Sequence, residues 1–306
     1  MLKTFLVHEL RVMKLQLDFE IETSEVNLRH GDTVVMLGSC FSDAMTSHFE
    51  SAGFQVLSNP FGTLFHPMAI ANVMDEVNST KKNQILQRDD LYFSWLASGK
   101  LSAASVSDME KCLSLARKRL YTALKQSKLL IVSFGSAWGY VEKDFGQVAN
   151  CHKMPQERFD KCLSETEHMV KRWKEVISVL DRINPKLQVI FTVSPVRHVK
   201  DGLVENNRSK ARLLELAHKL SSEYGLYFPA YEIVIDQLRD HRFFKKDLVH
   251  PSDDAVSYVW ERFAEFALHN DTLDIVKRVK QIKSTMHHKS HNPNSESDIH
   301  RIEKAK

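Results

Sequence analysis

The chain has 306 residues, of which 43% are hydrophobic, so it is long enough for one large or two small globular domains. Its formal net charge is +3 and its acidic and basic residues are interleaved, which gives no argument for a nucleic-acid partner. No apolar run approaches the roughly 18 residues of a membrane span, and the N-terminus lacks the features of a signal peptide. We therefore expect a cytoplasmic protein that binds neither nucleic acid nor membrane.

Cysteine usage bears on compartment and on metal binding. The four cysteines form neither a Cys-x-x-Cys pair nor the Cys/His spacing of a zinc site. So few cysteines in a chain of this length are typical of a reducing compartment. We expect no bound metal and no cofactor. The cysteines are Cys40, Cys112, Cys151 and Cys162.

Strands and helices alternate in the first third of the chain. Met13 offers an alternative start, so we expect residues 1–13 to be a dispensable extension. Prolines and a glycine interrupt regular structure in the apolar loop that contains Gly62. The predicted elements are an edge strand at Leu15–Ile21, a strand at Thr33–Leu37, a helix from about Phe41 to Ser51, a strand at Phe54–Leu57, a helix over Met68–Val77 and a polar insertion at 78–106.

The same alternation continues to about residue 268. We expect one domain over residues 14–280 and a disordered polar tail over 281–306. The predicted elements are a helix that starts at the capping box Ser107–Glu110, a strand at Leu129–Phe134, a long helix that opens at Pro155 and includes Phe159 and Leu163, a strand at Leu187–Val193, a helix over Asn207–Tyr224, a strand at Leu226–Phe228 and a helix from Ser252 to about Leu268.

This order of elements predicts a three-layer α/β/α fold, in which a parallel sheet carries helices on both faces. In such sheets, ligands bind outside the carboxyl ends of the strands. Several small and polar residues follow predicted strands and therefore converge on one edge. They are Gly38-Ser39-Cys40, the loop with Gly62, Gly135-Ser136 and Ser194-Pro195-Val196.

Two separated stretches carry candidate catalytic side chains. Ser39 and Cys40 lie at a strand-to-helix turn, where free N–H groups and the helix dipole favour a thiolate and can bind an oxyanion. Asp247 and His250 lie three residues apart before another helix and supply a carboxylate and an imidazole. The alternative is structural, since Cys40 is also a small residue suited to packing and His250 lies next to the Ser252 cap.

Seven motifs in the same order resemble those of the GSCFA family, over about residues 14–270. The first contains the Gly-Ser-Cys-Phe run for which the family is named. The motifs are Leu37–Ser42, Asn59–Thr63, Gly135–Trp138, Asn150–Pro155, Thr192–His198, Tyr227–Glu232 and Asp247–Ser252.

The resemblance implies a relation to the SGNH, or GDSL-like, hydrolases, which are flavodoxin-like esterases, deacetylases and acyltransferases. By this resemblance Asp247 and His250 match the Asp-x-x-His pair and Gly62 matches the oxyanion glycine. The Gly-Asp-Ser of the SGNH hydrolases reads Gly-Ser-Cys here, which by this resemblance makes Cys40, or else Ser39, the nucleophile. The usual oxyanion asparagine is missing after Gly135, and Asn150 or a backbone N–H is the expected replacement.

Three further side chains have open roles. His152 binds substrate or braces its loop, while Arg197 and His198 hold a substrate anion or form a structural contact. Three functions follow: a hydrolase of acyl esters of a glycan or small metabolite, an acyltransferase on the same scaffold, and a binding protein that kept the fold. The sequence leaves the oligomeric state open.

Overall fold

The structure is a computed structural model that describes residues 17, 19–77 and 84–287. Its strands are β1 Thr33–Gly38, β2 Gln55–Ser58, β3 Ile85–Arg88, β4 Leu91–Ser94, β5 Leu129–Phe134, β6 Trp138–Glu142, β7 Gly146–Val148, β8 Phe159–Leu163, β9 Gln188–Val193 and β10 Leu226–Tyr227. Its helices are α1 Cys40–Ser51, α2 Pro67–Glu76, α3 Val106–Gln126, α4 Thr166–Ile183, α5 Leu203–Tyr224, α6 Ala230–Glu232, α7 Asp253–Ala267 and α8 Asn270–His287. A π-helical stretch, Ile233–Leu238, continues α6.

Five strands form the central sheet in the order β10-β9-β5-β1-β2, and every pair is parallel. The predicted parallel sheet is therefore confirmed. Gly38 of β1 lies opposite Ser133 of β5, which in turn lies opposite Thr192 of β9. The three central strands consequently end at the same level, and the loops that follow them share one edge.

The side chains of β1 alternate between two apolar clusters, because successive residues of a strand point to opposite faces. Val35 and Leu37 join the cluster that contains residues of α2, α3, α4 and α5. Val34 and Met36 join the cluster that contains residues of α1 and α7. Helices thus cover both faces, which makes the fold the predicted flavodoxin-like three-layer α/β/α sandwich.

Helix capping agrees with prediction at α7 and differs at α3. Ser252 caps α7, and its Oγ accepts the N–H of Ala255 at 3.2 Å. The predicted start of α3 at Ser107 is wrong, because Ser105 is the cap. Its Oγ accepts the N–H of Asp108 at 3.1 Å and donates to the Asp108 carboxylate at 2.8 Å. Each serine has an acidic residue three positions later, Asp108 after Ser105 and Glu110 after Ser107, so the sequence offered two equivalent starts two residues apart.

The helix predicted to open at Pro155 is also wrong. A single 3-10 turn at Gln156–Arg158 leads into β8, and α4 starts only at Thr166. β8 pairs antiparallel with β6, which also pairs with β7, and these three strands form a small separate sheet. The four-residue spacing of Phe159 and Leu163 fits a helix, but pairing with β6 decides the structure.

Three further predictions concern the ends and the insertion. Residues 19–21 contain no strand, and the rest of the predicted edge strand, apart from residue 17, lies outside the described residues. Within the polar insertion, β3 and β4 form a hairpin, while 78–83 lie outside the described residues. The predicted disordered tail begins too early, because α8 runs to His287; residues 288–306 and 1–13 are not described.

Acid should destabilise the fold in part through His66, the buried cap of α2. Its Nδ1 accepts the N–H of Met68 at 3.1 Å, and its Nε2 lies 3.1 Å from the carbonyl oxygen of Ala137. Burial lowers the pKa of His66 from 6.5 to about 4. The unfolded chain therefore binds a proton that the folded chain does not bind between these values, and the stability from His66, about 3 kcal/mol, is lost as pH falls from 6.5 to 4.

Urea unfolding between pH 4 and 7 measures this effect. His66→Asn retains a capping oxygen and should flatten the pH dependence, whereas His241→Asn at an exposed position should leave it unchanged. An equal acid loss in the parent protein and in His66→Asn would contradict the assignment.

Candidate active site

The turn after β1 brings the chain very close to β5. Gly38 has φ +135°, and a Cβ built on it would lie 2.1 Å from the backbone oxygen of Ser133. Its N–H donates to Oδ1 of Asn59 at 2.8 Å. Only glycine fits this close approach and this backbone conformation. The turn fixes the direction in which the next two side chains point.

Ser39 is fully buried and its polar atoms are occupied. Its Oγ lies 3.1 Å from Oγ of Ser133 and accepts the N–H of Phe41 at 3.3 Å, so it caps α1. Its N–H donates to the Ser133 carbonyl at 3.1 Å. Cys40, by contrast, is partly exposed as the first residue of α1. Of the two sequence candidates for the nucleophile, only Cys40 presents its side chain outside the core.

The Cys40 thiol is not the low-pKa group that the helix terminus suggested. Burial raises its pKa, and the Asp43 carboxylate raises it further. The Cys40 N–H, Lys210 and Lys100 act in the opposite direction and lower the pKa. Because desolvation outweighs the helix terminus, the resting thiol needs a base to remove its proton.

Asp247 and His250 form the pair that their spacing predicted. Nδ1 of His250 lies 2.7 Å from Oδ2 of Asp247, whose Oδ1 accepts the N–H groups of Val249 and His250 at 2.9 and 3.0 Å. These hydrogen bonds, that of His250 first, lower the pKa of Asp247 to about 2. With Nδ1–H held by a carboxylate, Nε2 of His250 is the proton acceptor. The two side chains are 44% and 49% exposed, so water reaches them.

Arg197 ties the Asp247–His250 loop to the edge of the central sheet. Its N–H donates to the Val249 carbonyl at 3.1 Å, and its guanidinium lies 3.9 Å from the centre of the Phe244 ring. Its Nη1 lies 3.5 Å from the Leu248 carbonyl oxygen. Of the two roles predicted for Arg197, these contacts favour the structural one, because they hold the loop against the residues that follow β9.

His198 lies between this loop and the end of β5. Its Nε2 lies 3.3 Å from the position that a Cβ on Gly135 would occupy, and its ring packs edge-on against Phe65. Nε2 is buried and has no hydrogen-bond partner among the described residues. Burial, followed by Lys210 and His250, lowers the pKa of His198 to about 3, so it is neutral at neutral pH. A neutral imidazole is a poor ligand for a substrate anion.

Gly62 and Ser136 are already engaged by the protein. The Gly62 N–H donates to the Asn59 carbonyl at 2.7 Å, and a Cβ on Gly62 would lie 1.9 Å from Oγ of Ser98. The buried Ser136 Oγ accepts the N–H of Trp138 at 3.0 Å. Since the Gly62 N–H closes a turn, we do not assign it to an oxyanion hole, and Ser136 is a packing residue.

Asn150 and His152 differ in which of their polar atoms are engaged by the protein. Asn150 accepts the N–H of His152 through Oδ1 at 2.7 Å, and its Nδ2 lies 4.0 Å from the position of a Cβ on Gly99. His152 is buried beside the Phe93 and Trp95 rings, and its Nε2 lies 2.8 Å from the Ser94 carbonyl oxygen. His152 therefore braces its loop, whereas Asn150 retains an amide donor.

Lys210 is a residue of this site that the sequence motifs did not indicate. It is 2% exposed, and its Nζ lies 2.7 Å from the carbonyl oxygens of both Gly135 and Ser194. A signal was present in the predicted helix, since Lys210 is in line with Leu213 and Ala217 at i, i+3 and i+7 on the apolar face.

The described part of the chain offers neither a metal cage nor a membrane helix. In that part, no three or more His, Cys, Asp or Glu side chains are grouped so that they could hold a metal ion. Nor is any helix within it both long enough and apolar enough to cross a membrane.

Comparison with solved structures finds several esterases, all at low sequence identity and low TM-score. One, provisionally described as a GDSL-like lipase from Parabacteroides merdae, is 11% identical over 78% of this chain and 98% of its own, with a TM-score of 0.41. An acetyl xylan esterase from Butyrivibrio proteoclasticus is 9% identical over 78% of this chain and 64% of its own, with a TM-score of 0.41. A carbohydrate esterase of family 3 from Talaromyces cellulolyticus is 6% identical over 80% of this chain and 98% of its own, with a TM-score of 0.36. With TM-scores below 0.5, the fold assignment rests on strand order alone.

Sequence comparison identifies the family directly. No curated protein matches the chain. The profile of the GSCFA family matches residues 33–263, which include β1, the Gly-Ser-Cys turn, the Asp247–His250 pair and most of α7. This range is well over half of the chain and contains all the candidate site residues described above. The chain therefore belongs to the GSCFA family.

Proposed function

We propose that this protein hydrolyses carboxylic esters, with Cys40 as the nucleophile, His250 as the general base and Asp247 as the residue that orients His250. One observation carries the proposal: Asp247 holds Nδ1 of His250, and the loop of this pair is tied by the Arg197 N–H to the sheet edge at which Cys40 begins α1.

Acylation follows from these groups. Nε2 of His250 accepts the thiol proton as Sγ of Cys40 forms a bond to the acyl carbon. When the tetrahedral intermediate collapses, the carbon–oxygen bond of the ester breaks, and His250 returns the proton to the departing alkoxide. The products are an alcohol and a thioester on Cys40. Asp247 keeps the proton on Nδ1 and stabilises the imidazolium that forms between these steps.

The oxyanion of the intermediate has two candidate donors. At the first position of α1, the Cys40 N–H has no acceptor within its own helix, and it lies at the positive end of the helix dipole. The Asn150 amide is the second donor, since its oxygen is engaged by His152 and its nitrogen faces the Gly99 loop. Together they take the place of the asparagine that is missing after Gly135.

The thioester then reacts with water or with an added acceptor. The exposure of His250 and Asp247 supports hydrolysis, because water reaches the base directly. His250 removes a proton from that water, the new carbon–oxygen bond displaces Sγ, and the thiol is regenerated. The alcohol part of the substrate is a glycan or a small metabolite, and a screen of acetylated compounds would identify it.

The test is hydrolysis of p-nitrophenyl acetate, with and without hydroxylamine as acceptor, by the parent protein, His250→Ala and His241→Ala. We expect His250→Ala to lower kcat by about 10³-fold, because general base catalysis of this kind contributes 10²–10⁴-fold. His241 is a nearby exposed histidine, and its replacement should leave kcat unchanged.

The outcomes separate three functions. Release of acetate identifies the hydrolase, and a large gain in turnover with hydroxylamine identifies an acyltransferase. No turnover of any screened ester, together with slow alkylation of Cys40 by iodoacetamide that His250→Ala does not change, would leave a binding protein.

A further inference from the structure

Asp43 uses both of its carboxylate oxygens to hold the loop that follows β2. Its Oδ1 accepts hydrogen bonds from Oγ of Ser58 at 3.1 Å and from Nδ2 of Asn59 at 2.7 Å. Its Oδ2 accepts a third hydrogen bond, from Oγ1 of Thr63 at 2.9 Å. Asp43 is exposed and lies one turn after Cys40 in α1. Since three donors of one loop converge on this carboxylate, Asp43 anchors the loop to the helix that carries the nucleophile.

Asn59 connects this anchor to the nucleophile turn. Its Oδ1 accepts the N–H of Gly38 at 2.8 Å, while its Nδ2 donates to Asp43. In a regular parallel ladder the Gly38 N–H would donate to the backbone carbonyl of Asn59. That carbonyl instead accepts the N–H of Gly62 at 2.7 Å, because Asn59 is left-handed, with φ +42°, and turns the chain away from β1. The amide side chain therefore takes the place of the next acceptor of β2.

The peptide group that joins Gly38 to Ser39 is held at both ends. The Gly38 carbonyl accepts the N–H of Leu64, from the same loop, at 2.9 Å, and the Ser39 N–H donates to the Ser133 carbonyl at 3.1 Å. The next N–H, that of Cys40, has no acceptor within its own helix. The contacts of Gly38 with the loop thus set the direction in which both the N–H and the side chain of Cys40 point.

The charge of Asp43 does not help Cys40 to ionise. Burial raises the pKa of Cys40, and the Asp43 carboxylate raises it further. A carboxylate one turn after the nucleophile therefore opposes formation of the thiolate, and electrostatic activation does not account for its presence. The three hydrogen bonds to the loop do account for it.

We propose that Asp43 and Asn59 are a pair of positioning residues: Asp43 holds the Asn59 amide, and this amide holds the nucleophile turn so that the thiol and the N–H of Cys40 meet the acyl carbon and its oxygen together. This inference rests on the proposed function, in which Cys40 is the nucleophile. Neither residue of the pair touches the substrate. Loss of the pair should therefore lower kcat and leave KM unchanged, because the alignment matters in the transition state and not in binding the ester.

The first experiment exchanges the donor and the acceptor of the pair. Asn59→Asp keeps an acceptor for Gly38 but sets two carboxylates against each other, and we expect kcat for p-nitrophenyl acetate to fall by about 10²-fold with KM within about twofold of the parent value. In the double variant Asp43→Asn/Asn59→Asp, the amide at position 43 donates to the carboxylate at position 59. We expect kcat to return to within a few-fold of the parent value. An unchanged kcat in Asn59→Asp, or no recovery in the double variant, overturns the proposal.

Asp43→Ala and Asp108→Ala separate positioning from stability. Asp108 is also an exposed aspartate in the first turn of a helix, and it accepts a hydrogen bond from Ser105 at 2.8 Å. Both substitutions remove a favourable charge from a helix N-terminus together with side-chain hydrogen bonds, so both should lower the urea midpoint. Only Asp43→Ala should lower kcat, by about tenfold or more. Equal effects of the two substitutions on kcat would contradict a specific role for Asp43.

A second experiment measures the hydrogen bond to Gly38 without any substrate. The dipeptide Leu-Gly occurs once in the sequence, at Leu37-Gly38. Protein labelled with ¹³C at the leucine carbonyl and ¹⁵N in glycine therefore gives one carbonyl-correlated amide signal. We expect this amide to exchange with solvent about tenfold faster in Asn59→Asp, to recover in the double variant and to be unchanged in Asp108→Ala. Equal exchange in the parent protein and in Asn59→Asp overturns the proposal.

The failure of this inference is distinct from the failure of the proposed function. Ester hydrolysis by the parent protein, with a kcat that Asn59→Asp does not change, removes only the role of the pair. Absence of hydrolysis in the parent protein, with slow alkylation of Cys40 by iodoacetamide, removes the nucleophile and with it the need to position it.

Discussion

Cys40→Ala should lower kcat for ester hydrolysis by a factor on the order of 10⁴, because it removes the atom that forms the acyl bond. Such a loss corresponds to about 5 kcal/mol of transition-state stabilisation. The fold should remain intact, since Cys40 is partly exposed and the cap of α1 belongs to Ser39. Initial rates with p-nitrophenyl acetate and a urea melt of the same preparation measure both quantities.

Ser39→Ala is the matched control, at the neighbouring position of the same turn. Ser39 is buried and caps α1, so its replacement should lower stability by about 1 kcal/mol and leave kcat within a few-fold of the parent value. The reverse pattern, with activity lost in Ser39→Ala and kept in Cys40→Ala, would make Ser39 the nucleophile and contradict our assignment.

Gly38→Ala should lower the free energy of unfolding by about 4 kcal/mol or more, which is a severe loss for one added methyl group. The new Cβ would lie 2.1 Å from the backbone oxygen of Ser133, and β5 cannot move away without breaking its pairing with β1. The backbone φ of +135° adds strain for any residue with a side chain. Urea unfolding of Gly38→Ala against the parent protein measures the loss.

Two other glycines separate the close contact from the backbone strain. Gly146 has φ +90° with nothing within 4 Å of its built Cβ, so Gly146→Ala should lose only about 1–2 kcal/mol through strain. Gly99 has no positive φ and its nearest neighbour is 4.0 Å away, so Gly99→Ala should change stability by less than about 1 kcal/mol. A Gly38→Ala protein as stable as Gly146→Ala would mean that β1 and β5 can separate at this point.

The central sheet could be predicted because its strands are continuous apolar runs. Buried parallel strands such as Leu129–Phe134 and Gln188–Val193 need apolar side chains on both faces, and this pattern is visible without an alignment. The small sheet of β6, β7 and β8 shows no such pattern. In β8, Asp160 and Lys161 are exposed and the other three residues are partly buried. Neither a period of two nor a continuous apolar run therefore marks this strand.

The candidate site could be predicted only where a short motif contains the whole interaction. Asp247 and His250 contact each other across three residues, and their spacing is enough. The occupied N–H of Gly62 depends on the conformation of its loop, and the contact of Arg197 with Phe244 joins residues far apart in sequence. Lys210 was missed for the same reason, because its two carbonyl partners lie at strand ends that only the tertiary structure brings together.

The stacking of α7 on α1 has a consequence for synthesis of the chain. Phe49 contacts Trp260 with ring centres 4.8 Å apart, and His48 stacks on the same indole at 5.9 Å, so the start and the end of the domain close on each other. Cys40 leaves the ribosome roughly two hundred residues before His250, which at about 5–20 residues per second is an interval of ten seconds or more. Under the proposed mechanism the thiol has no base during that interval. A nascent chain should then stay inert toward acyl donors until α7 docks on α1, and the onset of turnover would time that step of folding.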